Sequence, residues 1–129
     1  MKNEKNFTES IAILGRLEEI IDRISLLDNV SIKLCANIVR SECLVCGVRL
    51  RQHLVINGSI DAELYMSIIQ FFSNLGTLKA LIVDAEMAGN YCVLIDEELY
   101  NLQKIVPTLI KIEHFPLSLL KQYFLRNLN

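Results

Sequence analysis

Residues 31–56 read as one long helix that is apolar on two sides. At about 100° per residue, Ile32, Cys35, Ala36, Val39, Cys43, Cys46, Leu50 and Leu54 share a broad arc. Leu34, Ile38, Val45 and Ile56 form a second, narrower stripe. Ser31, Glu42, Arg49 and His53 separate the two on one side, and Lys33, Asn37, Arg40, Arg51 and Gln52 fall on the other. A surface helix in a small domain buries a single stripe against its core. A helix with two stripes needs two contacts: its own core, and either a partner or a copy of itself.

The rest of the chain supplies the core. Asp28-Asn29, Asn57-Gly58 and Gly89-Asn90 each follow a run of helical period and mark helix stops or tight turns. The first helix is expected over 7–27, capped by Asn6 with Glu9 completing a capping-box-like pair. Its Ile13, Leu14, Leu17, Ile20, Ile21 and Ile24 lie on one face, opposite Glu9, Arg16, Glu19 and Arg23. A third helix is expected over 60–88 with Ser59 as its N-cap. Its apolar arc is wide, and its polar side is mostly uncharged: Ser67, Gln70, Ser73, Asn74 and Thr77. Gly76 in mid-helix predicts a local kink or a close helix approach. Residues 91–95 read equally as loop, short strand or helix start. Asp96, Glu97 and Glu98 then place negative charge where a helix N-terminus favours it. Pro107 should interrupt the fourth helix, and Pro116 suits the first turn of a short last helix carrying Leu119, Leu120, Tyr123, Phe124 and Leu125. Strand alternation is weak, and no repeat or linker divides the chain. The expectation is all-α: a single domain over 1–129, an antiparallel up-and-down four-helix bundle with a short C-terminal helical extension.

Composition narrows the function classes. The 129 residues are 52% hydrophobic, so one full core needs neither metal nor disulfide staples. The formal net charge is −2, against a strongly basic nucleic-acid binder. The opening MKNEKNFTES lacks the apolar run of a secretory signal. Residues 64–83 carry Ser67, Gln70, Ser73, Asn74 and Lys79, too polar for a lone membrane span. Four cysteines fit a reducing compartment, so the expected location is cytoplasmic.

Motifs with chemistry are few. Cys43 and Cys46 match C-x-x-C, but no βαβ pattern or second zinc knuckle accompanies them, and small buried core thiols are the plainer reading. Arg49, Arg51 and His53 loosely echo the basic clusters of helical ribonucleases, with no acid or hydroxyl placed beside them. Neither histidine stands three residues after a Glu, as di-metal bundles require. No Gly-rich phosphate loop or nucleophile elbow occurs. No catalytic site, metal or cofactor is therefore expected. Lys33, Arg40, Arg49, Arg51 and His53 remain as a possible interaction surface.

The segment FFSNLGTLKALIVDAEMAGNYCVLIDEELYNL, residues 71–102, resembles the third and fourth helices of the bacterial four-helix-bundle proteins encoded in ribosomal-RNA intervening sequences, and of the related accessory proteins of diversity-generating retroelements. The shared points are a mid-helix Gly-Thr-Leu, an Ala/Leu-rich stretch, a Gly-bearing turn and an acidic helix start. The likeness implies a bundle fold and, for the retroelement type, rings that bind nucleic acid; those proteins are basic and this chain is acidic. Three functions are thus expected in order. The first is a non-catalytic interaction bundle that self-associates or binds a protein, in an adaptor, inhibitor or immunity-type role. The second is a nucleic-acid accessory bundle using Lys33, Arg40, Arg49 and Arg51. The third is a ribonuclease-like enzyme using Arg49, Arg51 and His53.

Overall fold

Each helix begins and ends for a local reason, and several of those reasons differ from the expected ones. The computed structural model describes residues 3–56, 58–87, 89–111, 115 and 118. Helix α1 spans Glu4–Ile24, one turn earlier than expected, because Asn6 does not cap it. The Asn6 amide donates instead to the Thr108 hydroxyl at 3.0 Å, and Asn3, at the N-cap position, donates its side chain to the Gly58 carbonyl. Helix α2 spans Val30–Ile56, and Asn29 accepts from the Ile32 amide at 3.0 Å at its start. Helix α3 spans Ala62–Asp84. Its cap is Asp61, which accepts from the Leu64 amide at 2.8 Å, and not Ser59. Helix α4 spans Tyr91–Ile105, so the ambiguous residues 91–95 are helical.

This places Asp96–Glu98 in the second turn of α4, where the acids serve neighbouring helices more than a helix terminus. Asp96 pairs with Lys79, and Glu98 accepts from Arg16 Nε at 2.9 and 3.0 Å. Pro107 ends α4 as its ring demands, in a 3-10 turn over Val106–Leu109. That turn is the described part of the C-terminal extension. The expected last helix with Pro116, Leu119, Leu120, Tyr123, Phe124 and Leu125 lies outside the described residues.

Polar ties across the seams show the helix directions. Asp22 meets Arg40 while Leu14, two turns earlier, accepts from the Cys43 thiol, so α1 and α2 are antiparallel. Glu42 with Asn74 and Arg49 with Ser67 give the same result for α2 and α3. Arg16 with Glu98 and Asn6 with Thr108 give it for α1 and α4. The four helices therefore close a ring, α1–α2–α3–α4 and back to α1, with α3 against α4 as its loosest seam. This is the all-α antiparallel bundle the sequence predicts.

The ring encloses one core. Phe7, Ile13, Leu17, Ile21 and Ile24 of α1 are sealed from solvent, with Ala36, Val39 and Leu50 of α2 and Leu64, Phe71, Leu75 and Leu78 of α3. Ile95 and Leu102 complete it from α4. Each large side chain so placed contributes about 1.5–3 kcal/mol relative to exposure. By length and apolarity alone α3 is also able to cross a bilayer; here its buried residues face the bundle core. No close helix approach occurs at Gly76, which lies inside the unbroken α3: a Cβ built there meets nothing within 4 Å. One backbone stitch closes the end of the bundle: the Ile60 amide donates to the Leu109 carbonyl at 2.9 Å, tying the α2–α3 connection to the turn after α4.

Candidate interaction surface

The two-sided reading of α2 describes where its side chains go. The inner arc is sealed: Ile32, Ala36, Val39, Cys43, Cys46 and Leu50 are all at most 2% exposed, while Cys35 and Leu54 are half-buried at its edge. The outer stripe stays open. Leu34 is 61% exposed, Ile38 60%, Val45 52% and Ile56 75%. Val30 (74%) and Val48 (50%) extend the same line, and Leu44 and Val55 widen it. The narrow stripe drawn from sequence missed these four. Their signal was available, because Val30 lies four residues before Leu34 and Val48 three after Val45, the steps that keep a face.

Gln52 also belongs in this line and not with Lys33. Eighteen residues are five full turns, so Gln52 falls directly along the axis from Leu34. The surface from Leu34 to Ile56 is thus apolar except for Asn37, Ser41 and Gln52, and it contains no charged residue. Two shallow depressions flank Val45. One, about 300 Å³, lies toward α3 between Ser41, Glu42, Val45, Cys46, Ser67 and Gln70. The other, about 260 Å³, is lined by Leu44, Val45, Val48, Arg49 and Gln52. Across the first, the neighbouring face of α3 continues uncharged through Ser67, Gln70 and Ser73.

Charges are confined to the two edges of the stripe, and each edge leans on a different helix. On the α3 edge, both oxygens of Glu42 accept from the Asn74 amide, at 2.9 and 2.8 Å. Arg49 donates to the Ser67 hydroxyl at 3.1 Å and stands 3.7 Å from Glu63. On the α1 edge, Arg40 pairs with Asp22 at 2.5 Å and lies 3.8 Å from Glu18. Arg51 is exposed on that edge beside a small notch with Glu18, Gly15 and Gly47, and Lys33 is exposed near the start of the helix. Neither makes an ion pair among the described residues.

The five expected surface residues are therefore not all brought together. Lys33, Arg40 and Arg51 lie along one row on the α1 edge, with Lys33 nearest the helix start, while Arg49 faces α3 and His53 sits at the α2–α3 connection. His53 Nδ1 is 3.2 Å from the Ser59 backbone carbonyl oxygen, and Nε2 is 3.8 Å from Asp61. The buried Ser59 hydroxyl makes no bond to the imidazole. A Ser–His pair poised for nucleophilic attack needs that bond, so the proximity of Ser59, His53 and Asp61 is not a triad geometry.

The C-x-x-C thiols lie on the sealed side. The Cys43 thiol donates to the Leu14 carbonyl. Burial pushes Cys43 up to about 12, with Cys46, Glu18 and Asp22 adding to the shift. Burial and then Glu42 push Cys46 up to about 11, against the opposing pull of Arg49. Such thiols stay protonated and unreactive at neutral pH. Among the described residues no three His, Cys, Asp or Glu side chains converge as metal ligands.

No protein-family model, curated protein or solved structure matches this chain.

Proposed function

We propose that the chain is a non-catalytic interaction bundle that docks onto a protein surface, its own or another's, through the outer face of α2. The observation that carries this is the open stripe itself. Leu34, Ile38, Val45, Val48 and Ile56 run down one line of a 27-residue helix and are each at least half exposed. Scattered apolar side chains on a surface need no explanation, but a contiguous uncharged line rimmed by polar groups marks a contact site. The bundle does not need the stripe for its own core, since the inner arc of the same helix fills that role.

The electrostatics support a protein partner over nucleic acid. Phosphate binding calls for several unneutralised cations on one face. Here Arg40 and Arg49 are engaged by carboxylates of α1 and α3, while Arg51 and Lys33, which make no ion pair among the described residues, border an uncharged strip.

A photo-crosslinking residue tests the reading. Benzoylphenylalanine in place of Val45 is expected to give a discrete covalent adduct in the native host. The same residue in place of the exposed Glu97 on α4 is expected to give none. Identical profiles from the two positions would sink the proposal, and the adduct's mass separates a second copy from a different protein.

A further inference from the structure

We propose that the occupant of the α2 stripe is a second copy of this chain, packed antiparallel about a twofold axis that passes between the two α2 helices level with Val45. This rests on the docking reading above and goes further by naming the partner and its direction.

The argument is one of charge and register. In a twofold antiparallel helix pair, each edge of one helix lies beside the same edge of its copy. Residues equally far from the axis, on opposite sides of it, then meet. Glu42 and Arg49 share the α3 edge, as their bonds to Asn74 and Ser67 show. They lie about equally far on either side of residues 45–46. The axis therefore sets Glu42 against Arg49 of the second copy, and Arg49 against its Glu42, forming two equivalent ion pairs. Each group retains capacity for this: a carboxylate accepts about four hydrogen bonds, and a guanidinium carries five donors.

The other edge agrees. The same register brings Arg51, which has no ion pair among the described residues, to the second copy's Arg40, a guanidinium already flanked by the two carboxylates of Asp22 and Glu18. Arg51 thus approaches a cluster with one net negative charge. Two of the polar interruptions of the stripe also find each other. Ser41 falls about two residues, roughly 3 Å along the axis, from Gln52 of the copy. A parallel pair does the opposite. It sets unlike edges side by side: Arg49 comes next to Arg51 of the copy with no carboxylate between them, and Glu42 comes next to Arg40 of the copy, a guanidinium already flanked by Asp22 and Glu18. Leu34 to Ile56 spans roughly 33 Å of helix, and two such faces bury on the order of 1,000 Å², the lower bound for a specific interface. A face of that size predicts a dimer weak enough to exchange.

Light scattering on the full chain across a concentration series tests this. The wild-type chain is expected to reach twice its 14.7 kDa mass. Val45→Asp, at an exposed position that leaves the core alone, is expected to remain monomeric. Glu42→Arg alone sets Arg against Arg, and Arg49→Glu alone sets Glu against Glu. Each is expected to weaken association about tenfold or more. Mixing the two variants restores opposite charges at both contacts, so the mixture is expected to dimerise where neither variant does. That rescue also shows that both variants fold. A wild-type chain that stays monomeric at about 100 μM, in the weak-complex range, overturns the second copy as occupant; the crosslink from Val45 still reports independently on the docking face. A dimer that Val45→Asp breaks but the mixture does not restore overturns the antiparallel register alone. A dimer indifferent to Val45→Asp overturns both readings.

Discussion

The inner arc and the outer stripe of α2 are built from the same residue types on the same helix, yet they meet opposite environments. Leu50 is fully buried and Leu34 is 61% exposed, although both are leucines of one helix. Helix α1 has no such division: its apolar residues form one buried face, and Arg16, Glu19 and Arg23 stand exposed. The difference teaches that the weak amphipathicity of α2 is not a loose pattern. It is the superposition of two patterns, one satisfied by the fold and one left open by it. Apolar content alone does not separate them, but the charged rows at Glu42/Arg49 and Arg40/Arg51 do.

That contrast gives graded tests. The largest effect belongs to the inner arc: Leu50→Ala is expected to lower unfolding stability by about 2–5 kcal/mol. Leu34→Ala, measured in the same denaturant titration at a concentration where the chain is monomeric, is expected to change stability by no more than about 0.5 kcal/mol. A multi-kilocalorie loss at Leu34 would mean that the chain covers its own stripe, and the contrast would collapse.

The thiols sharpen the inner half. In the unfolded chain they ionise near 9.0, while in the fold Cys43 and Cys46 hold their protons to about 12 and about 11. Their contribution is whole below pH 9 and is lost as pH rises through 9 toward the folded values. The loss is about 1.4 kcal/mol per pH unit for each thiol. Unfolding titrations at pH 8 and pH 10 measure this slope, and a Cys43→Ala chain is expected to show it reduced by one thiol's share. A slope that Cys43→Ala leaves unchanged would place that thiol in contact with water.

Two smaller effects probe the surface of α3. Gly76→Ala is expected to raise stability by about 1 kcal/mol, since the exposed helix position has room for the methyl group. A loss there would show that the outer face of α3 is covered as well. Glu86, just past α3, has φ 52° in the left-handed region, where the amide of Met87 reaches back to the Ile82 carbonyl at 3.3 Å. Glycine is the residue that takes this position without strain. Glu86→Gly is expected to gain up to about 1 kcal/mol by removing the side chain's steric cost, read as a rise in thermal midpoint.

Much of this molecule is legible in its sequence, and the losses have physical causes. The four helices, the α1 face, the inner arc of α2 and the interruption at Pro107 follow from period and steric rules that act locally. The caps do not. Asn6 and Ser59 are good cap residues by type, but Asn6 is drawn to Thr108 and Asp61 outcompetes Ser59 for the α3 amides. The acidic run at Asp96–Glu98 looks like a helix start until Lys79 and Arg16, far away in sequence, supply its partners. Gly76 marks no contact at all. The expected basic surface is divided for a similar reason: Lys33, Arg40 and Arg51 share the α1 edge, but Arg49 and His53, close in number, point toward α3 and the α2–α3 connection. What carries the functional argument is the open stripe, and sequence located its centre while underestimating its width.

The tie between Asn6 and Thr108 has a further consequence. It brings the first turn of α1 beside the segment that follows α4, so the ring of helices closes there. The ring of seams does not record which helix was made first. A linker leading from the residues after that segment to α1, with a new opening in the exposed turn around Glu86 and Gly89, would rewrite the order as α4, α1, α2, α3 along the same seams. The outer face of α2 would be presented unchanged. The present order is one cut through a ring of seams, and the seams themselves carry no mark of where that cut lies.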